Sequence, residues 1–110
     1  METERITLGE NWWEVRKRMT VGVQRASEEL SAPYISEQYT DPKEQYEAIP
    51  KKVRLQMNRV MVFKATTAWS YGPVTDAVFE NEVPVDDYDI VLRRVNELYS
   101  SSPLVRAGES

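Results

Sequence analysis

The chain contains no histidine and no cysteine. It therefore lacks a conventional zinc-ligand set, a thiol nucleophile, a disulfide and an imidazole acid or base. Glycine is nearly as scarce. Gly9, Gly22, Gly72 and Gly108 stand too far apart to form a phosphate-cradling loop, which removes dinucleotide and P-loop nucleotide sites. Long apolar runs are missing too. The longest is the four residues Val60-Met61-Val62-Phe63, so neither a signal peptide nor a membrane-spanning segment is expected.

What remains is a chain of 110 residues with 14 basic and 18 acidic side chains, a net charge of -4. That length predicts one domain over residues 1–102 with a frayed tail over 103–110, burying about 65% of its unfolded surface. A mildly acidic surface is a poor general binder of nucleic acid, whose affinity comes from many Lys and Arg contacts to phosphate. The scattered Ser, Lys and Tyr residues form no combination of acid, base and nucleophile. No enzymatic activity, small-molecule substrate, cofactor, metal or membrane contact is therefore expected. Cysteine-free and 29% charged, the chain suits a reducing compartment such as cytoplasm.

The pattern predicts an α+β fold, an N-terminal β-hairpin followed by a small, mostly helical domain of three to four helices. Residues 5 to 18 fit two templates. As a hairpin, Ile6 and Leu8 alternate with polar neighbours, Gly9-Glu10-Asn11 supplies a turn, and Trp13 and Val15 alternate with Glu14 and Arg16. As a helix, Asn11 and Glu14 have capping-box spacing ahead of Trp12, Val15 and Met19. The hairpin is preferred, because Gly9 separates two stretches rich in aromatic and β-branched residues and Thr20 then caps a separate helix over about 21–31.

Further along, a loop over 31–41 leads to Asp41-Pro42-Lys43-Glu44, a compact helix start with an Asp N-cap and a Pro at the first position. Pro50 divides this short helix from the next. From Lys51 the apolar residues Val53, Met57, Val60, Met61, Ala65 and Ala68 keep helical spacing. Leu55, Val62 and Trp69 add a second stripe, which predicts a central helix running to the stop at Gly72-Pro73. A short helical turn follows from Thr75 to Asn81. The last helix is expected from Asp86, as N-cap, to about Ser100, with Val85 and Ile90 spaced as a hydrophobic staple and Tyr88, Val91, Leu92, Val95, Leu98 and Tyr99 on its apolar face.

Asp86-Asp87-Tyr88-Asp89 lacks the ligand spacing and glycine of a calcium loop, and helix capping accounts for it. Charge elsewhere is segregated. Lys51, Lys52, Arg54, Arg59 and Lys64 fall in a stretch without acids, while Asp76, Glu80, Glu82, Asp86, Asp87 and Asp89 fall in one without bases. Two readings stand: the segments pack together or form solvated faces, or the basic one lines a positive groove for an acidic partner. Arg16-Lys17-Arg18 extends such a groove only if the hairpin lies alongside. Adjacent Trp12 and Trp13 must point to opposite faces of a strand, leaving one outside the local core. An exposed Trp is a natural contact anchor, unless another helix covers it.

At Ala68-Trp69-Ser70-Tyr71-Gly72-Pro73-Val74-Thr75, with Val83-Pro84 and the helix over 87–99, the sequence resembles small tail assembly chaperones of long-tailed bacteriophages. Ile6-Thr-Leu-Gly-Glu-Asn-Trp-Trp-Glu-Val-Arg16 looks like their N-terminal hairpin. The similarity spans about residues 5–100 and departs from the common pattern in the Tyr-rich stretch 34–47. The resemblance implies a non-enzymatic role in the host cytoplasm: binding the tape-measure protein, covering its helical apolar surface, and giving way to tail-tube protein. Self-association is left open. Residue type nominates Trp12, Trp69 and Tyr71 as partner anchors and Lys51, Lys52 and Arg54 as steering charges. The alternative is a head-to-tail adaptor or tail-terminator subunit that stays in the virion.

Overall fold

The computed structural model describes residues 2–34 and 41–100. The expected loop lies partly, and the expected tail over 103–110 wholly, outside the described residues. The fold is α+β. Strand β1 (Thr3–Leu8) turns through Gly9-Glu10 into β2 (Asn11–Arg16), with Ile6 opposite Trp13 and Leu8 opposite Asn11. Gly9 has φ +66°, the left-handed region that a glycine enters without steric penalty, so the turn falls where the sequence places it. Helix α1 (Val21–Ser31) follows, the Thr20 hydroxyl accepting the Val23 N–H as its cap. Next comes a short 3-10 turn over Ala32–Tyr34.

Helix α2 (Pro42–Ala48) opens on Asp41, whose carboxylate accepts the Lys43 N–H, and ends before Pro50 as expected. Helix α3 (Lys51–Ala65) is shorter than its apolar pattern implies. The expected continuation through Ala68 and Trp69 is instead a third strand, β3 (Thr66–Trp69), antiparallel to β2 in a sheet ordered β1-β2-β3. The chain thus returns to its hairpin between helices rather than leaving it for good. Thr66 sets the break. Two β-branched residues in succession disfavour helix, and the Thr66 hydroxyl turns back to donate to the Val62 carbonyl at 2.7 Å.

After β3, Gly72 at φ +131° carries the chain to α4 (Asp76–Asn81), capped by the Thr75 hydroxyl. Helix α5 (Val85–Tyr99) starts earlier than expected. Its N-cap is Pro84, not Asp86, and Asp86 and Asp87 lie inside the first turn, where the helix dipole favours negative charge. The expected staple is absent, since Val85 and Ile90 are both exposed. In all, five α-helices are present among the described residues, against the three to four expected.

One face of the sheet supplies Leu8, Trp13, Val15 and Trp69 to a core shared with Val62 and Ala65 of α3 and with Val91, Val95 and Tyr99 of α5. Helix α1 lies along α3 and adds Val23. Trp13 is fully buried at its centre, edge-on to Trp69 at 5.1 Å, Tyr71 at 5.9 Å and Phe79 at 6.2 Å. Three polar ties lock the sheet to its helices. Arg16 donates to the Lys64 carbonyl (2.7 Å) at the C-terminal end of α3, Tyr99 Oη donates to the Arg16 carbonyl (3.1 Å), and Arg94 holds Glu4 through a two-pronged ion pair.

Candidate partner-binding groove

Helix α3 is amphipathic in two directions. Val62 and Ala65 turn to the core, while Gln56, Arg59, Val60, Phe63 and Lys64 recur at three- and four-residue intervals on another face. On α4, the same spacing places Asp76, Phe79 and Glu80 on one side. The bend at Gly72-Pro73 brings the two faces opposite one another and leaves a groove of about 770 Å³ between them. Leu30 of α1 lines the groove as well, as do Val83, Val85 and Tyr88 around the start of α5.

Its aromatic lining continues the core. Phe63 and Phe79 have ring centroids 5.5 Å apart, Phe79 and Tyr88 stand at 5.7 Å, and Phe79 stacks on buried Trp69 at 6.1 Å. These rings are therefore seated on a fixed base, and Phe63, Phe79 and Tyr88 remain only partly buried. The lining charges are segregated by element, with Arg59 and Lys64 from α3 and Asp76 and Glu80 from α4. Among the described residues, none of these four side chains forms an ion pair, and all four are exposed. Burial pushes the Tyr88 phenol above its ordinary pKa; Arg59 opposes that shift and Asp89 reinforces it. The phenol is neutral at physiological pH.

The six nominated contact residues do not converge. Trp12 is half-buried on the sheet face turned away from the helices, with the Arg5 guanidinium 4.0 Å above its ring. Trp69 is 5% exposed, and its indole N–H donates to the Gly72 and Pro73 carbonyls, so it builds the core and the bend rather than a contact surface. Tyr71 packs edge-on to Trp13 and Trp69 and donates its hydroxyl to Asp87 at 2.6 Å. Lys51 and Lys52 are exposed in the first turn of α3. Arg54, one turn on, lies over the Tyr46 ring at 5.1 Å.

Of the basic block, it is Arg59 and Lys64 that reach the groove, facing part of the acidic block across it. The two blocks are thus neighbours, as the first reading of the segregated charge has it, and the trough between them is lined by both signs rather than being the positive groove of the second. Arg16, by contrast, is committed to the end of α3, so the Arg16-Lys17-Arg18 run does not enter the groove as a block. Phe79, Val83 and Tyr88 were not identifiable as groove residues from spacing, because only the turn at Gly72-Pro73 brings them beside α3.

Among the described residues, no group of acidic side chains is arranged to hold a metal ion, and no helix is long and apolar enough to cross a membrane. In comparisons with protein-family models, curated proteins and solved structures, no match to this chain is found.

Proposed function

We propose that this protein is a non-enzymatic tail assembly chaperone of a long-tailed bacteriophage. In the host cytoplasm it covers helical apolar surface on the tape-measure protein before the tail forms, then yields to tail-tube subunits. The observation that carries this reading is the open groove, whose apolar lining between unpaired charges is a surface for binding another protein. Its size suits a transient role. A groove of about 770 Å³ takes a few side chains of a partner rather than a whole domain face, which favours a hold that incoming tube subunits can displace. The charged walls serve orientation and encounter rate more than affinity. Leu55 and Ile90 are each about half exposed but do not line the groove; Ile90 lies in a separate cleft with Glu4 and Arg94, and the exposed Val85 is the groove's own.

Co-expression with tape-measure protein tests this directly. The expected result is soluble tape-measure protein that co-purifies with the chain, released when tube protein is added. Mass spectrometry of purified virions supplies the other arm. A stoichiometric amount of the chain in the finished particle would replace this reading with that of an adaptor or tail-terminator subunit.

A further inference from the structure

Helix α3 lines the groove from Gln56 to Lys64, which at 1.5 Å per residue is about 12 Å, or two turns of a helix. Among the described residues, every regular element around it is helical, and no free strand edge opens into it. An extended peptide laid there would bring unpaired backbone N–H and C=O groups against Phe63 and Phe79. A helix arrives with those groups already satisfied. The two charged sides make a further demand. A partner flank beside Arg59 and Lys64 is stabilised by acids, and a flank beside Asp76 and Glu80 by bases. A second copy of the chain could match these charges about a two-fold axis along the groove, but it would set one concave groove against another and leave Phe63 and Phe79 without a convex apolar partner.

We infer that the groove between α3 and α4 receives a two-turn amphipathic helix of the partner, with an apolar stripe on Phe63 and Phe79, an acidic flank toward α3 and a basic flank toward α4. Because the two sides differ in sign, they also fix the direction in which the helix lies: reversing it end to end exchanges its flanks and sets like charges together. This inference rests on the reading of the chain as a cover for helical tape-measure surface and names the segment that would be covered.

The test uses three labelled helical peptides with one leucine stripe and different flanks: one Glu and one Lys flank, Glu on both, or Lys on both. Binding to the full chain is read by fluorescence anisotropy at low salt. The mixed peptide is expected to bind the wild type about tenfold more tightly than either uniform one. Arg59→Glu should shift preference toward the Lys-only peptide, and Glu80→Lys toward the Glu-only one. Both positions are exposed, and circular dichroism with urea midpoints checks that each variant keeps the fold. Equal binding of all three peptides, or indifference to both variants, overturns the inference. So does a dimer that either variant dissociates, which would give the groove to a second copy. Binding that appears only after residues 101–110 are deleted would give the groove to the chain's own tail and overturn the inference as well.

Tape-measure protein separates this inference from the reading beneath it. If the wild type and Arg59→Glu hold it equally well, the groove assignment falls and the chaperone reading stands. If neither holds it but the peptides follow the charge rule, the groove stands and the chaperone reading falls.

Discussion

The Trp13 indole N–H donates to Thr66 Oγ1 at 2.8 Å, across 53 residues of sequence, inside the most buried part of the molecule. The same hydroxyl donates onward to the Val62 carbonyl, so one oxygen joins β2, the first residue of β3 and the last turn of α3. Thr66→Val keeps the branched shape and removes the oxygen, leaving a buried indole N–H without a partner. A loss of about 1–3 kcal/mol in urea unfolding is expected. Thr66→Ser keeps the oxygen and should retain more of the stability. A valine variant as stable as the wild type would deny this hydroxyl its role in holding the sheet to α3.

Adjacent tryptophans should behave as opposites. Trp13→Ala empties the centre of the aromatic cluster and is expected to remove about 3–5 kcal/mol, enough to unfold a marginal domain. Trp12→Ala loses a surface stacking contact with Arg5, with an effect of about 0.5–1 kcal/mol. Thermal unfolding of the two variants decides it. Comparable losses would mean that Trp12 is part of the core after all.

That contrast was legible because period-two alternation needs only neighbouring residues. Asn11 through Arg16 declares which tryptophan is inside once the hairpin is accepted, and Thr20 and Asp41 declare their helix starts by local hydrogen bonds. The third strand was not legible. Trp69 stands seven residues beyond Val62, so the helical stripe accounts for its apolarity just as well as pairing opposite Trp13 does. The discriminating signal was the Thr66-Thr67 pair, a weak local preference that pairing with a strand 53 residues away makes decisive.

The start of α5 is hidden from the sequence for a similar reason. Asp86 has the side chain of a cap, but Pro84 already supplies the extended backbone that precedes a helix, at φ -64° and ψ 142°. At the candidate site, the segregated charge was visible in sequence and its geometry was not. Lys51, Lys52 and Arg54 belong to the same block as Arg59 and Lys64, yet only the latter two lie where α4 passes.

Stability toward acid should depend on Glu4. Hydrogen bonding from Arg94 lowers the Glu4 pKa, with burial partly opposing it and the charges of Arg94 and Lys17 assisting. A carboxyl whose folded pKa lies below its unfolded value stabilises the fold above the unfolded pKa, near 4.3, and loses that contribution as pH falls through the folded one. Glu4→Gln should therefore lower the urea midpoint slightly at pH 7. The gap from the wild type should shrink as pH falls below the unfolded value and through the lower folded one, and it should narrow in high salt, because both partners are partly exposed. A gap independent of pH would place its cause in packing.

Stability toward alkali should depend on tyrosines, of which Tyr71 is the most strongly shifted. Burial raises its phenol well above the ordinary value, and the hydroxyl bond to Asp87 together with the charge of that carboxylate raises it further. Tyr88 and Tyr99 are raised chiefly by burial. In each case the folded chain holds the proton more tightly than the unfolded chain, whose phenols titrate near 10. Their contribution is complete below that pH and is lost as pH rises toward the folded values. Unfolding free energy should thus decline above about pH 10. Tyr71→Phe is expected to lose about 1 kcal/mol near neutrality, the worth of one hydrogen bond, and to show a shallower decline because one of the three phenols is gone. Asp87→Asn should instead let Tyr71 ionise at lower pH, seen directly as tyrosinate absorbance in the folded protein. If that absorbance rises at the same pH in Asp87→Asn as in the wild type, the carboxylate is not what holds the proton on Tyr71.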